Sequence, residues 1–223
     1  MFYWVRDMVH YRVGLWSRKA SETLAERSGS CTNNANLFVA LLRASHIPAA
    51  YVVLRVKGQE FFGPVTPPTL KKRISEKALH IYTQVYLNAK WIKCDPSTDV
   101  SLSQKTSYFN PQSNLVDWNG EHDALLNLNP SHILEERNLL SNIDEIISKK
   151  PHTAKGIVIE VANLYIKFLR HNPKRINHPN ELEPLFKSWL KEYSLRHHYF
   201  YSLNSFWHDL KMRFKKCIHE RTY

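Results

Sequence analysis

A chain of 223 residues with 43% hydrophobic content can bury one compact core and carry a helical appendage, but is thin for two large independent domains. A net charge of +11 and a pI near 9.6 suit an acidic partner or a solvated basic surface, and nucleic acid is the obvious candidate partner; the lack of zinc-finger spacing or an RNP-type aromatic motif argues against it. The cysteines at 31, 94 and 217 have no framework spacing, and no CxxC or HxxxH pair occurs, which argues against both a disulfide scaffold and a zinc site and for a reducing compartment.

The opening MFYWVRDMVHYRV lacks a basic n-region followed by an apolar h-region, and no run approaches the roughly 18 apolar residues of a membrane span. The expectation is a cytoplasmic protein without membrane contact. The first residues already read as the middle of an amphipathic segment, which leaves room for a natural chain extending before Met1. FYWVRDMVHY and ASETLAER give two short helical patterns separated by GLWSRK, with Leu24 on a buried face. After Cys31, TNNANLFVALLRAS sets Ala35, Phe38, Leu41 and Leu42 at helical spacing, and Ile47 with Pro48 ends the helix.

AAYVVLRV is rich in β-branched residues and HIYTQVYL alternates strictly, so both read as strands. Between them FFGPVTPPTLKKRISEK carries three of the eleven prolines and reads as a loop over a cleft. HIYTQVYL, NAK and WIKCDPS form a strand, a tight turn and a returning strand that stops at proline. From 101 to about 135 the chain is polar and turn-rich, an irregular excursion. From about 140 onward GIVIEVANLYIKFLRH, LEPLFKSWLKEYSLRHH and a last segment with Phe206, Leu210, Phe214 and Ile218 are helical patterns. The order of elements is that of an α+β fold.

Within SGSCTNNANLF, Cys31 stands where the chain tightens before a helix. The first amides of a helix carry partial positive charge, which favours a thiolate and also suits a developing oxyanion. Gly29 allows the tight approach. A thiolate needs a base, and the base needs a partner that fixes its tautomer. If Asn88 and Ala89 form a two-residue turn, Leu87 faces Lys90 and Tyr82 faces Asp95, which puts Asp95 diagonal to His80 on one sheet face, with Cys94 pointing away. A three-residue turn shifts the pairing by one and sends Asp95 to the other face unless a bulge restores it.

SGSCTNNANLFVALLRASHIPAAYVV followed by HIYTQVYLNAKWIKCDPS resembles the core of the transglutaminase-like superfamily, with its papain-like packing of a cysteine helix on an antiparallel sheet. The resemblance covers about residues 3 to 100. It implies that Cys31 is the nucleophile, His80 the general base and acid, and Asp95 the residue that orients the histidine. The upstream aromatic that often assists the oxyanion is assigned to Trp16, with Trp4 behind it. His46 departs from the glycine that commonly precedes Ile-Pro. On this reading residues 1–135 are a transglutaminase-like catalytic core and residues 136–223 a helical extension packed on it.

Each of these residues also has a bland reading. Cys31 alone would be a small buried hydrophobe, His80 a strand end, and Asp95 the first residue of an Asp-Pro turn. Their order and spacing together favour chemistry. His197 and His198 read as surface residues, YFYSLNSFW as helix packing, and Glu121 with Asp123 as caps of a helix that begins near Ala124. The resemblance implies acyl transfer through a Cys31 acyl-enzyme. No motif suggests a cofactor, and the calcium dependence known in some members of the superfamily would need an acidic oxygen cluster, for which no EF-hand-like run is present. The partners of the reaction are an acyl donor (a protein, a peptide or an acidic carrier protein) and an amine or water acceptor. The reading leans toward an amide-forming transferase over an amidase or peptidase, with a non-catalytic interaction module as the alternative from another class.

Overall fold

The computed structural model describes residues 1–14, 16–148 and 157–196. The histidine pair at 197 and 198, the aromatic run YFYSLNSFW, the last helical pattern and Cys217 lie outside the described residues. The chain divides into two compact units, Met1–Leu182 and one that begins at Glu183. In chain order the elements are α1 (Phe2–Met8), β1 (His10–Tyr11), α2 (Ala20–Glu26), β2 (Ser28–Gly29), α3 (Cys31–Ala44), β3 (Ala49–Lys57), α4 (Gly58–Phe62), α5 (Pro68–Lys71), β4 (Lys77–Leu87), β5 (Lys90–Cys94), α6 (Val100–Thr106), β6 (Ile133–Leu140), α7 (Asp144–Ser148), α8 (Ile157–His171) and α9 (Leu182–Arg196). This is an α+β fold with the cysteine at the head of α3 and helices toward the C-terminus.

An antiparallel four-stranded sheet in the order β5-β4-β3-β6 forms the centre. It curls until Lys93 on one edge strand pairs with Glu136 on the other. One face and α3 share the main core, which includes Phe38, Val39, Leu42, Val53, Ile81 and Val85. The other face buries a smaller cluster of Val52, Leu54, Val56 and Tyr82.

Helix α3 ends as its sequence dictates. The Ile47 amide donates to the Leu42 carbonyl at 2.9 Å and the His46 amide to the Arg43 carbonyl at 3.0 Å, while His46 takes φ 58°. This double bond pattern closes a helix through a left-handed residue and brings the following apolar side chain back onto the core. The position favours glycine because a Cβ there meets the next carbonyl. His46 occupies it at the expense of strain.

The hairpin uses the two-residue turn. Leu87 pairs with Lys90 and Thr83 with Cys94, and Asn88 and Ala89 take φ 49° and 61°, the left-handed pair whose twist matches the strands it joins.

Four expectations are corrected. Leu24 is 41% exposed, because α2 turns Thr23 inward in its place. The segment read as a loop forms the short helices α4 and α5, joined by a 3-10 turn at Gly63–Val65. No helix begins near Ala124. Its amide instead donates to the Lys93 carbonyl at 2.8 Å and its carbonyl accepts from Asp95 at 2.9 Å, an isolated bridge beside Cys94. Finally, Ile133–Leu140, between the polar stretch and the helical patterns, is an edge strand on β3, with register shifts between Tyr51 and Val53 and between Arg55 and Val56. ILEERNLL has no period of two, so pairing with β3 outweighs its weak strand propensity.

In α8, Val161, Tyr165, Phe168 and Leu169 are buried at helical spacing, and the Tyr165 hydroxyl donates to the Val65 carbonyl at 2.8 Å. In the second unit Trp189 stacks with Phe186 and Tyr193, at centroid distances of 6.4 and 4.8 Å. Among the described residues no helix is long and apolar enough to cross a membrane.

Candidate active site

Short parallel pairing of β1 with β2 leads the chain into α3, with Tyr11 opposite Gly29. A Cβ on Gly29 would lie 2.6 Å from the Asn33 Cβ, so only glycine permits this approach. Asn33 Oδ1 then accepts from the Ser30 amide at 3.0 Å and the Ser30 hydroxyl at 2.9 Å, fixing the first turn. Cys31 follows as the first helical residue, 7% exposed. Its sulfur is in hydrogen-bond contact with His80 and with the Ile81 amide.

His80 and Asp95 come from adjacent strands of the hairpin region and are each 1% exposed. Nε2 of His80 lies 2.6 Å from Asp95 Oδ2, leaving Nδ1 for the thiol. Asp95 is itself held: Oδ1 accepts the Ser97 amide at 3.0 Å and its own amide donates to Ala124 at 2.9 Å. Phe61 and Tyr82 flank the imidazole at centroid distances of 5.1 and 5.9 Å. The structure therefore joins Cys31, His80 and Asp95 into one line, and Cys94 belongs to the main core away from it.

Burial pushes the Cys31 thiol up, but the hydrogen bond and charge of His80 and the Ile81 amide outweigh it and hold the thiol below its usual range. For His80 burial acts downward, and the Asp95 carboxylate with its hydrogen bond, helped by Cys31, raises the imidazole to about 10. Cys31 and His80 thus favour a thiolate beside an imidazolium. Burial, with the Cys31 charge, raises Tyr11 and keeps its phenol protonated.

A pocket of about 150 Å³ opens beside Cys31 and His80. Apolar walls come from Phe61 and Phe62 of α4, Leu102 of α6, Leu126, Leu128 and Leu169 of α8. Tyr11 lines it, whereas Trp16 is not among the lining residues; the Trp16 carbonyl accepts from Asn33 Nδ2 at 3.4 Å. Asp99, also in the wall and 1% exposed, accepts from Ser101 Oγ at 2.6 Å and the Leu102 amide at 2.8 Å on Oδ1. Its Oδ2 accepts from the Tyr11 amide at 2.7 Å and Arg170 Nη2 at 2.5 Å. Burial raises the Asp99 carboxyl, but Arg170 and these donors outweigh it and hold it below its ordinary value.

Sequence reasoning set the segment from Phe61 over the cleft, where Phe61, Phe62 and Val65 line the pocket, but missed Asp99, Arg170 and the wall from Leu102, Leu126 and Leu128. The signal for Asp99 was present as an N-cap residue before VSL, since its side chain caps α6. Arg170 lies 71 positions away and left no local trace. Among the described residues no group of three or more His, Cys, Asp or Glu side chains is placed to hold a metal ion.

Residues 1–96 match the family model of the transglutaminase-like superfamily core. No curated protein matches the chain. Among solved structures it is similar to the crystal structure titled "a Putative Cysteine Protease from Cytophaga hutchinsonii", at 26% identity and a TM-score of 0.31, over 43% of this chain and 29% of that one. The chain thus spans less than a third of that protein's length. The segment from α1 to the residue after Asp95, which carries the whole Cys31-His80-Asp95 line, is the part of the chain that is similar to the transglutaminase-like superfamily.

Proposed function

We propose that the protein is a thiol acyl-transfer enzyme with Cys31 as nucleophile, His80 as general acid and base, and Asp95 as the residue that orients His80. The observation that carries this is the buried line from the Cys31 sulfur through His80 to Asp95, at the mouth of a pocket. The thiolate attacks the carbonyl of an amide or thioester, and the first amides of α3 face the developing oxyanion. As the tetrahedral intermediate collapses, its bond to the leaving amine or thiol breaks and the imidazolium gives that group its proton. His80, now neutral, takes a proton from the incoming amine or water as that attacks the acyl-Cys31 carbonyl. Release of the product returns the thiolate and the imidazolium.

The acceptor decides between an amide-forming transferase and a hydrolase. The net charge of +11 favours an acidic donor such as a carrier-protein thioester, and we favour amide formation on that ground. The free Cys31 and Cys94 thiols fit the cytoplasm.

The test is brief iodoacetamide treatment across pH with intact-mass readout, on wild type, Cys31→Ala and His80→Ala, followed by loading with acyl thioesters. One fast adduct on Cys31 that persists below pH 7 and slows without His80 is expected, and a thioester should leave its acyl mass there. Transfer of that acyl group to an added amine marks the transferase, and its loss to water marks the hydrolase. Labelling at the rate of an ordinary thiol, with no acyl adduct, would overturn the proposal in favour of a binding module.

A further inference from the structure

We propose that the pocket beside Cys31 selects an uncharged, apolar acyl group about the size of a benzene ring or a four- to six-carbon chain, with Leu102 and Leu169 setting its depth. This rests on the acyl-transfer reading above and adds the substrate class.

Volume sets the size limit. The pocket measures about 150 Å³. An apolar cavity of roughly that volume takes a benzene ring. Three helices contribute aromatic or aliphatic wall: Phe61 and Phe62 on α4, Leu102 on α6 and Leu169 on α8.

Charge sets the chemistry. Among the described residues no Lys or Arg lines the pocket, so an acyl group bearing a carboxylate meets no cation there other than His80, which is already paired with Cys31 and Asp95. Apart from the Cys31-His80 pair, the charged side chain in the wall is Asp99, and it has no capacity left for an ammonium. A carboxylate offers about four acceptor sites. Here the Ser101 hydroxyl, the amides of Leu102 and Tyr11, and Arg170 use them, and Arg170 cancels the charge.

Of the neutral polar groups that line it, Tyr11, Ser97, Thr98, Thr106, Asn110, Gln112 and Ser113, three bond to protein partners. Thr106 Oγ1 donates to the Leu102 carbonyl at 2.8 Å, and Asn110 Nδ2 donates to Ser113 Oγ at 2.9 Å. A charged acyl group would lose its hydration here and, away from His80, meet neutral groups alone, whereas each methylene buried contributes about 0.8 kcal/mol.

The experiment is single-turnover loading of the full chain with N-acetylcysteamine thioesters carrying acetyl, butyryl, hexanoyl, benzoyl and succinyl groups, read as acyl mass on Cys31. Loading should rise roughly fourfold per methylene from acetyl toward hexanoyl. Benzoyl should load well, and succinyl at least about tenfold more slowly than butyryl. Leu102→Phe should cut the hexanoyl-to-acetyl ratio about tenfold, and Leu169→Ala should move the optimum to longer chains. Loading independent of chain length, or succinyl as fast as butyryl, overturns the apolar pocket and leaves acyl transfer standing.

If no donor loads Cys31, acyl transfer fails, and binding to Cys31→Ala decides the pocket. A preference of about tenfold or more for hexanamide over succinamate supports it. Any smaller or reversed preference overturns it.

Discussion

Replacing Asp95 with Asn separates the charge of this carboxylate from its shape. In Asp95→Asn the amide oxygen can keep the Ser97 amide, 3.0 Å away, and the backbone bond to Ala124 is unaffected, so the hairpin holds. What is lost is a negative charge 2.6 Å from His80 Nε2. At that separation the gross attraction is about 6 kcal/mol at an effective dielectric of 20, and it is what overcomes the burial of the imidazolium. Without it burial prevails, His80 becomes neutral, and Cys31 loses the cation that holds its thiolate. Removing Asp95 also removes a charge that raises the thiol. That direct effect has the opposite sign, but it acts across the ring, whereas His80 is hydrogen-bonded to the sulfur, so the loss of the imidazolium wins. An adjacent opposite charge shifts a group by about one to three pKa units, so the thiolate fraction at pH 6 should fall roughly 10- to 1,000-fold.

The assay is Cys31 alkylation by iodoacetamide from pH 5 to 10, with a thermal melt to establish that the variant is folded. The wild-type ion pair occupies the window above the lowered Cys31 value and below the His80 value of about 10. It is lost on the acid side by protonation of the thiolate and on the alkaline side by deprotonation of the imidazolium. The variant should lose alkylation at the acid end while approaching wild type above pH 9. A folded Asp95→Asn protein alkylated at pH 6 within twofold of wild type would refute the argument.

The remaining predictions concern stability. His46→Gly relieves about 1–2 kcal/mol of left-handed strain against an entropic cost of about 0.5–1 kcal/mol, for a net gain of up to about 1 kcal/mol in denaturant unfolding; a net loss would mean that the exposed imidazole makes a compensating contact. Arg170→Met leaves Asp99 buried without its cation and should cost about 3–5 kcal/mol at neutral pH. Because the folded Asp99 carboxyl lies below its ordinary 3.8, its contribution is present above that pH and lost as pH falls through the folded value. The gap in melting temperature between wild type and Arg170→Met should therefore close in acid. Leu24→Glu, at a position 41% exposed, should change unfolding free energy by less than about 0.5 kcal/mol. A cost above about 2 kcal/mol would restore the buried face expected of Leu24.

The three-residue line was legible because each part is fixed locally. Strict alternation in HIYTQVYL sets the face of His80, a two-residue turn sets the register, and the register carries Asp95 opposite Tyr82 and next to His80. The helix after Cys31 was legible for the same reason, through apolar periodicity and a closing Ile-Pro. Strand β6 was not, because ILEERNLL carries no strand pattern and takes its conformation from the β3 edge it covers. Nor was Leu24 placed correctly. A short helix admits more than one inward face, and the partners that choose among them lie elsewhere in the chain.

The pocket shows a different kind of limit. The groups proposed for bond making lie within residues 1–96, the segment that matches the superfamily. Asp99, Leu102, Leu126, Leu128 and Leu169, which give the pocket much of its wall, all lie beyond it. A sequence resemblance therefore reports the chemistry and is silent on what the chemistry acts upon. The two parts are not independent, however, because Arg170 reaches back from α8 to the Tyr11 carbonyl at 2.6 Å while neutralising Asp99. Tyr11 sits opposite Gly29, two residues before the thiol. Changes to the C-terminal wall at Leu102 or Leu169 can alter selection alone, whereas a change at Arg170 disturbs the strand that leads into Cys31. Substitutions in α8 should accordingly divide by residue: Leu169 changes which acyl group is accepted, and Arg170 changes whether the nucleophile is held in place.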